Sequence, residues 1–279
     1  MKSILVPIED HGIVEPQLEA ALTLSRMFDS YIEGLAITPD YPVVLPVDIA
    51  IGVPSPITPE NRLEMARACR ERFEAFMITK EVPRSTSGLA ALSSFGWRQD
   101  GLMEDAFLGA YGRVFDLIVV GRPDGSNGQT RLSTVESALF ETGRPVLITP
   151  PTAPRTLGET AVIAWNRSTE TARAVLGAMP FLKKARRIVV LELEDWGVPG
   201  PSASELVRSL RMHDLPAEAI LAADPSNRPG ETILSEAAAL GCDLLVKGAY
   251  TQSRLRQMFF GGATSHILSN TTIPVLMAH

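Results

Sequence analysis

The chain has 279 residues, a formal net charge of −6, 45% hydrophobic and 21% charged residues, which is the balance of a globular protein of about two domains. No run approaches the ~18 consecutive apolar residues of a membrane-spanning helix, and an acidic chain without clustered Lys and Arg lacks the footprint of a nucleic-acid binder. Two cysteines, Cys69 and Cys242, make neither a disulfide framework nor a zinc cluster of their own and point to a reducing, cytoplasmic setting.

The opening Ile4-Leu5-Val6-Pro7-Ile8-Glu9 reads as a first strand, because an acid arrives too soon for a signal peptide. Short apolar runs then alternate with segments of helical period, the pattern of βαβ units on a parallel sheet. Strands are expected at 3–8, 31–37, 89–94, 116–120 and 145–149, with helices at 16–28, 60–80, 101–113 and 133–142. In the helix 60–80, Leu63, Ala66, Ala68, Phe73 and Phe76 form the predicted apolar stripe. Six prolines between Thr38 and Asn61 (Pro39, Pro42, Pro46, Pro54, Pro56, Pro59) predict a surface excursion there. After Pro150-Pro151-Thr152-Ala153-Pro154, a stiff connector, strands follow at 160–165, 187–193, 218–222, 243–247 and 274–278. The second set of helices is expected at 169–184, 202–212, 230–240 and 261–269.

These two series are copies of one another. Asp116-Leu117-Ile118-Val119-Val120-Gly121 recurs as Asp243-Leu244-Leu245-Val246-Lys247-Gly248, and Pro145-Val146-Leu147-Ile148 as Pro274-Val275-Leu276-Met277. The first strand corresponds to Val162-Ile163-Ala164-Trp165-Asn166, with Glu9 opposite Asn166. The reading is therefore two domains, 1–152 and 153–279, the first carrying the insertion at about 38–61. The first has 13 basic and 20 acidic residues, a net of −7, and the second 13 and 12, a net of +1, so an anion is repelled less by the second.

In open parallel sheets ligands sit beyond the carboxyl ends of the strands. There the chain reads Gly248-Ala249-Tyr250-Thr251-Gln252-Ser253-Arg254, and then Gly261-Gly262-Ala263-Thr264-Ser265 where a helix should begin. Bare glycine backbone, a new helix N-terminus, the Thr264 and Ser265 hydroxyls and the Arg254 charge suit a phosphate. Glycines demanded by close strand–helix packing fit the same residues. Gly248-x-x-Thr251, nine residues, Gly261-Gly262 and the closing Pro274-Val275-Leu276 resemble the glycine loop of the universal stress proteins, and the whole chain is similar to a tandem member of that family. The resemblance implies two tandem, doubly wound, five-stranded α/β domains (Rossmann-like, of the adenine nucleotide alpha hydrolase-like kind). It implies that Ala164, Asn166, Gly248, Thr251, Arg254, Gly261, Gly262, Ala263 and Thr264 bind an adenine nucleotide, ATP (with Mg²⁺) or AMP, in a stress-response role. It further implies an intramolecular pseudo-dimer through pairing of 146–148 with 275–277, the option of a homodimer, and at most slow ATP hydrolysis.

The departures from the family pattern concern the site. Thr251 stands where a second glycine is expected, Gly262 where Ser or Thr is, and Asn166 where an acid holds the adenosine, so an ionised acceptor is lost. In the first copy Gly121-Arg122-Pro123-Asp124 and Leu132-Ser133 are further eroded. A ligand-free protein-interaction module of the same fold is therefore the competing reading, and an adenylate-forming enzyme ranks behind both, because neither copy has a glycine-rich loop after its first strand. His11, His213, His266 and His279 have no metal-ligand spacing. Ser133-x-x-Glu136 reads as a capping box and Ser168 as a helix cap. Trp97, Trp165 and Trp196 read as packing residues, and the two thiols as inert.

Overall fold

The computed structural model describes residues 1–10, 12–39, 58–85, 93–98, 103–123, 130–249 and 262–279. The first half runs β1 (Ser3–Ile8), α1 (Glu15–Phe28), β2 (Tyr31–Ala36), α2 (Pro59–Thr79), β3 (Ser94–Trp97), α3 (Asp105–Tyr111), a 3-10 turn (Gly112–Val114), β4 (Leu117–Gly121), α4 (Leu132–Glu141) and β5 (Val146–Thr149). The second half runs β6 (Thr160–Ala164), α5 (Thr169–Leu182), β7 (Arg187–Leu193), α6 (Ala203–Arg211), β8 (Ala217–Ala222), α7 (Pro229–Ala239), β9 (Leu244–Gly248), α8 (Gly262–Asn270) and β10 (Val275–Ala278).

All ten strands join one sheet in the order β3-β2-β1-β4-β5-β10-β9-β6-β7-β8. Each half thus has the strand order 3-2-1-4-5, and within each half every pair is parallel. The halves meet where β5 and β10 pair antiparallel, with Val275 opposite Ile148, Leu276 opposite Leu147 and Met277 opposite Val146. Pairing here leaves neither strand as an open edge that could recruit another chain.

Strands such as Leu117-Ile118-Val119-Val120 are apolar at every position because helices cover both faces. Alternate side chains of each strand feed two cores. One lies under α1, α2, α5 and α6, the other under α3, α4, α7 and α8. The repeated aspartates have structural duties. Asp116 accepts from the N–H groups of Lys2 and Ser3, and Asp243 from those of Gly158, Glu159 and Thr160, so each ties the start of its half's first strand to its fourth.

Four local expectations are corrected. The third strand is Ser94–Trp97 rather than 89–94, because the edge position selects Phe95 to face the core beside Phe73; residues 89–92 lie outside the described residues. The buried stripe of α2 is Cys69, Phe73 and Met77, spaced four apart, while Leu63 is 43% exposed and Ala66 and Phe76 only flank it. Pro59 opens α2 at the first helical turn, where its missing N–H costs nothing, and Thr58 caps it by accepting from the Asn61 N–H. Ser133 lies inside α4, whose cap residue is Arg131 with no capping side chain of its own.

Candidate functional site

The mouth of the second half is built where β6 and β9 end and α5 and α8 begin. Ser168 caps α5, its hydroxyl accepting from the Thr171 N–H at 3.2 Å. Asn166 is 6% exposed, and its Oδ1 accepts from the Ser168 N–H and from the Thr171 hydroxyl. Gly248, at the end of β9, lies against the same turn of helix. A Cβ placed on Gly248 would stand 2.5 Å from the Thr171 nitrogen, so only glycine lets strand and helix meet there. Asn166 and Gly248 are thus brought together, and both are engaged with the start of α5. Ala164 is buried in β6 opposite Leu191 of β7.

The other bank of the mouth is α8. Gly262 opens it, and a Cβ there would meet nothing within 4 Å among the described residues. The first-turn N–H groups of an α-helix have no acceptors within the helix. Ala263 packs on Gly230 of α7. Thr264 is buried, and its hydroxyl oxygen accepts from the Lys247 ammonium at 2.8 Å, leaving its own proton to donate. Thr251, Arg254 and Gly261 lie outside the described residues.

Lys247 also stands at this mouth, and the pattern of the sequence did not single it out. It is 4% exposed, and Nζ donates to the Gly248 carbonyl at 2.9 Å and to Thr264. Among the described residues no carboxylate forms an ion pair with it, and burial pushes its ammonium from an ordinary 10.5 down to about 8. The available signal was a lysine interrupting the apolar run Leu244-Leu245-Val246 where the first copy has Val120. Glu192 was missed for a similar reason. It is buried in β7, accepts from the Arg167 guanidinium, and its Oε2 accepts from the Ala203 N–H at the start of α6. Beside it the loop after β7 folds over Asn166. The Val198 N–H donates to the Asn166 carbonyl, and Gly197, at φ +135°, approaches too closely for any side chain. Trp165 is buried and donates from Nε1 to the Pro201 carbonyl, a packing role.

The mouth of the first half is filled by its own side chains. Glu9 Oε2 accepts from the Arg131 backbone N–H at 3.2 Å and from its guanidinium at 3.0 Å. The same guanidinium reaches Asp105, which also accepts from the Thr134 hydroxyl. Burial pushes the Glu9 carboxyl above its usual 4.5, against the pull of Arg131. Its counterpart glycine, Gly121, faces the Thr130 hydroxyl, 2.4 Å from where a Cβ would be.

Burial pushes the thiols of Cys69 and Cys242 up to about 12, which keeps them protonated and unreactive. Among the described residues no group of three or more His, Cys, Asp and Glu could hold a metal ion. No helix among them is long and apolar enough to cross a membrane. His266 stands beside Asn270, and His279 meets the Ala249 carbonyl at 3.0 Å.

Comparison with known proteins adds the family. Residues 226–279 match the universal stress protein family. No curated protein matches the chain in sequence. A universal stress protein from Archaeoglobus fulgidus DSM 4304 has a similar structure at a TM-score of 0.70 and 14% identity, over 99% of this chain and 97% of its own. A candidate universal stress protein from Pseudomonas aeruginosa UCBPP-PA14 gives 0.57 and 15%, over 100% and 93%. A functionally unknown protein from Pseudomonas aeruginosa PAO1 gives 0.56 and 13%, over 100% and 92%. At such identities the likeness is one of fold. Residues 226–279 thus match the universal stress protein family, and the whole chain has the fold of solved universal stress proteins from end to end.

Proposed function

We propose that the second half binds an adenine nucleotide, ATP with Mg²⁺ or AMP, and that the protein serves the stress response as a regulatory or protective module rather than as a metabolic enzyme. The observation that carries the reading is the open start of α8. Among the described residues nothing stands within 4 Å of where a Gly262 side chain would be, Thr264 accepts from Lys247 through its oxygen and so has a hydroxyl proton to donate, and the helix dipole is positive at this end. In this reading Asn166 and Gly248, which stand together at the start of α5, would lie toward the sugar. The +1 net charge of this half, against −7 for the other, lowers the electrostatic cost of a phosphate. A reducing, cytoplasmic setting fits two free and buried thiols.

The first half favours the competing reading for itself. Its mouth holds Arg131 between Glu9 and Asp105, so the cation that would greet a phosphate is already neutralised. We read that half as a ligand-free surface kept for its fold.

Isothermal titration of the full chain with ATP and Mg²⁺ tests the proposal. The expected result is saturable binding with one nucleotide per chain. The absence of heat at millimolar nucleotide would replace the nucleotide reading with that of an interaction module for both halves.

A further inference from the structure

Val120 and Lys247 hold the same place in the two halves, each the fourth residue of its half's fourth strand and each one residue before the glycine that ends it. Both are buried. The fold is therefore satisfied by an aliphatic side chain at this position, and the lysine answers some other need. A buried ammonium with no carboxylate against it is costly, and such a charge is ordinarily paired. Lys247 crosses the end of the sheet to the first turn of α8, and Nζ stops at the Thr264 hydroxyl. Among the described residues two of its three protons have acceptors, and both acceptors are neutral.

We infer that Lys247 is the resident counter-charge for an anionic group received at the start of α8, and that it makes this mouth select a phosphate-bearing ligand over a neutral one of the same shape. The inference rests on the nucleotide reading of the site and adds to it the residue that confers the selection. On the helices around β9, α5 carries Glu170 and Arg173, α7 carries Glu231 and Glu236, and α8 carries His266; among the described residues none of them forms an ion pair or hydrogen bond with Lys247. Met277 is the register partner of Lys247 on β10. On α7 Glu231 pairs with Arg228, and His266 of α8 bonds Asn270. Burial alone sets the titration of the ammonium. An anion at the start of α8 supplies the missing charge and favours the protonated form, so binding in alkaline solution must take up a proton.

The test uses the full chain, ATP with Mg²⁺ as the anionic probe and adenosine as the neutral one. Titrations at pH 8.5 in two buffers of different ionisation heat measure the protons exchanged. With an ammonium that titrates near 8, the wild-type chain should take up about 0.8 proton on binding ATP and none on binding adenosine. Lys247→Met should abolish that uptake and weaken ATP binding by about ten- to a hundredfold, while adenosine affinity changes less than about twofold. Proton uptake by the wild-type chain keeps the test independent of how the variant folds. Uptake below 0.1 proton, or unchanged ATP affinity in a folded Lys247→Met chain, overturns the inference and leaves the nucleotide reading standing. Failure of the wild-type chain to bind either probe removes both.

Discussion

Replacing Lys247 by Met should stabilise the protein in the absence of ligand. In the wild-type chain the ammonium is desolvated, and the distance from an ordinary 10.5 to about 8 corresponds to about 3 kcal/mol disfavouring its charged form. Methionine has nearly the same length, is apolar, and joins a face already lined by Met277, Ile267 and Leu268. Against the gain stand two lost hydrogen bonds, to the Gly248 carbonyl and to Thr264, which together offset about 1–2 kcal/mol. The net expectation at pH 7 is a gain of about 1–2 kcal/mol. The pH dependence is more diagnostic. The folded chain releases the lysine proton near pH 8 and the unfolded chain near 10.5, so between these values the unfolded state binds more protons and wild-type stability rises with pH. About 2 kcal/mol of the cost should be recovered by pH 9.5, and the gap between variant and wild type should close or reverse. Urea unfolding of both chains at pH 7 and pH 9.5 measures this. A Lys247→Met chain less stable than wild type at both pH values, with a gap that does not move, would mean that the lysine is an ordinary structural hydrogen-bonding residue.

The two glycines of the mouth should respond in opposite ways. Gly248→Ala drives a methyl group into the Thr171 backbone and should cost about 2–3 kcal/mol in chemical unfolding, whereas Gly262→Ala, which meets nothing within 4 Å among the described residues, should change stability by less than about 0.5 kcal/mol. Arg131→Met should cost about 2 kcal/mol at pH 7, because it strands the buried Glu9 carboxylate; Arg131 is partly solvated, which holds the figure below that of a fully buried pair. Since burial raises the Glu9 pKa, the loss should shrink as the pH falls and Glu9 takes up a proton, which unfolding curves at pH 7 and pH 5 would reveal.

Much of the architecture is written in local pattern. The strand at 187–193 and the helix start at 169 could be read because Ile188–Leu191 is continuously apolar and Ser168 has the chemistry of a cap. Asp116–Gly121 and Asp243–Gly248, alike in sequence, contain the fourth strands of two halves that share one strand order. The third strand was placed too early because the run Leu89-Ala90-Ala91-Leu92 is more apolar than Ser94-Phe95-Gly96-Trp97, in which a serine and a glycine weaken the apolar pattern of a strand that is nonetheless largely buried. The site was only partly legible, for a different reason. Spacing nominates Gly262 and Thr264, which the structure places in the first turn of α8, but the Arg131–Glu9 pair joins residues 122 apart in sequence, and no periodicity encodes it. Lys247 was visible as a letter, yet its burial arises only when α8 closes over the end of β9. Side-chain chemistry at the strand ends depends on long-range packing, whereas the strands themselves follow from composition.

The central claim is that the start of α8 receives a nucleotide. Backbone amide NMR of the full chain titrated with ATP and Mg²⁺ tests it most directly. The amide signals of Gly262, Ala263 and Thr264 should move in step and saturate together, while those of Glu9 and Arg131 stay in place. Movement confined to the first half, or none at the first turn of α8, would contradict the claim.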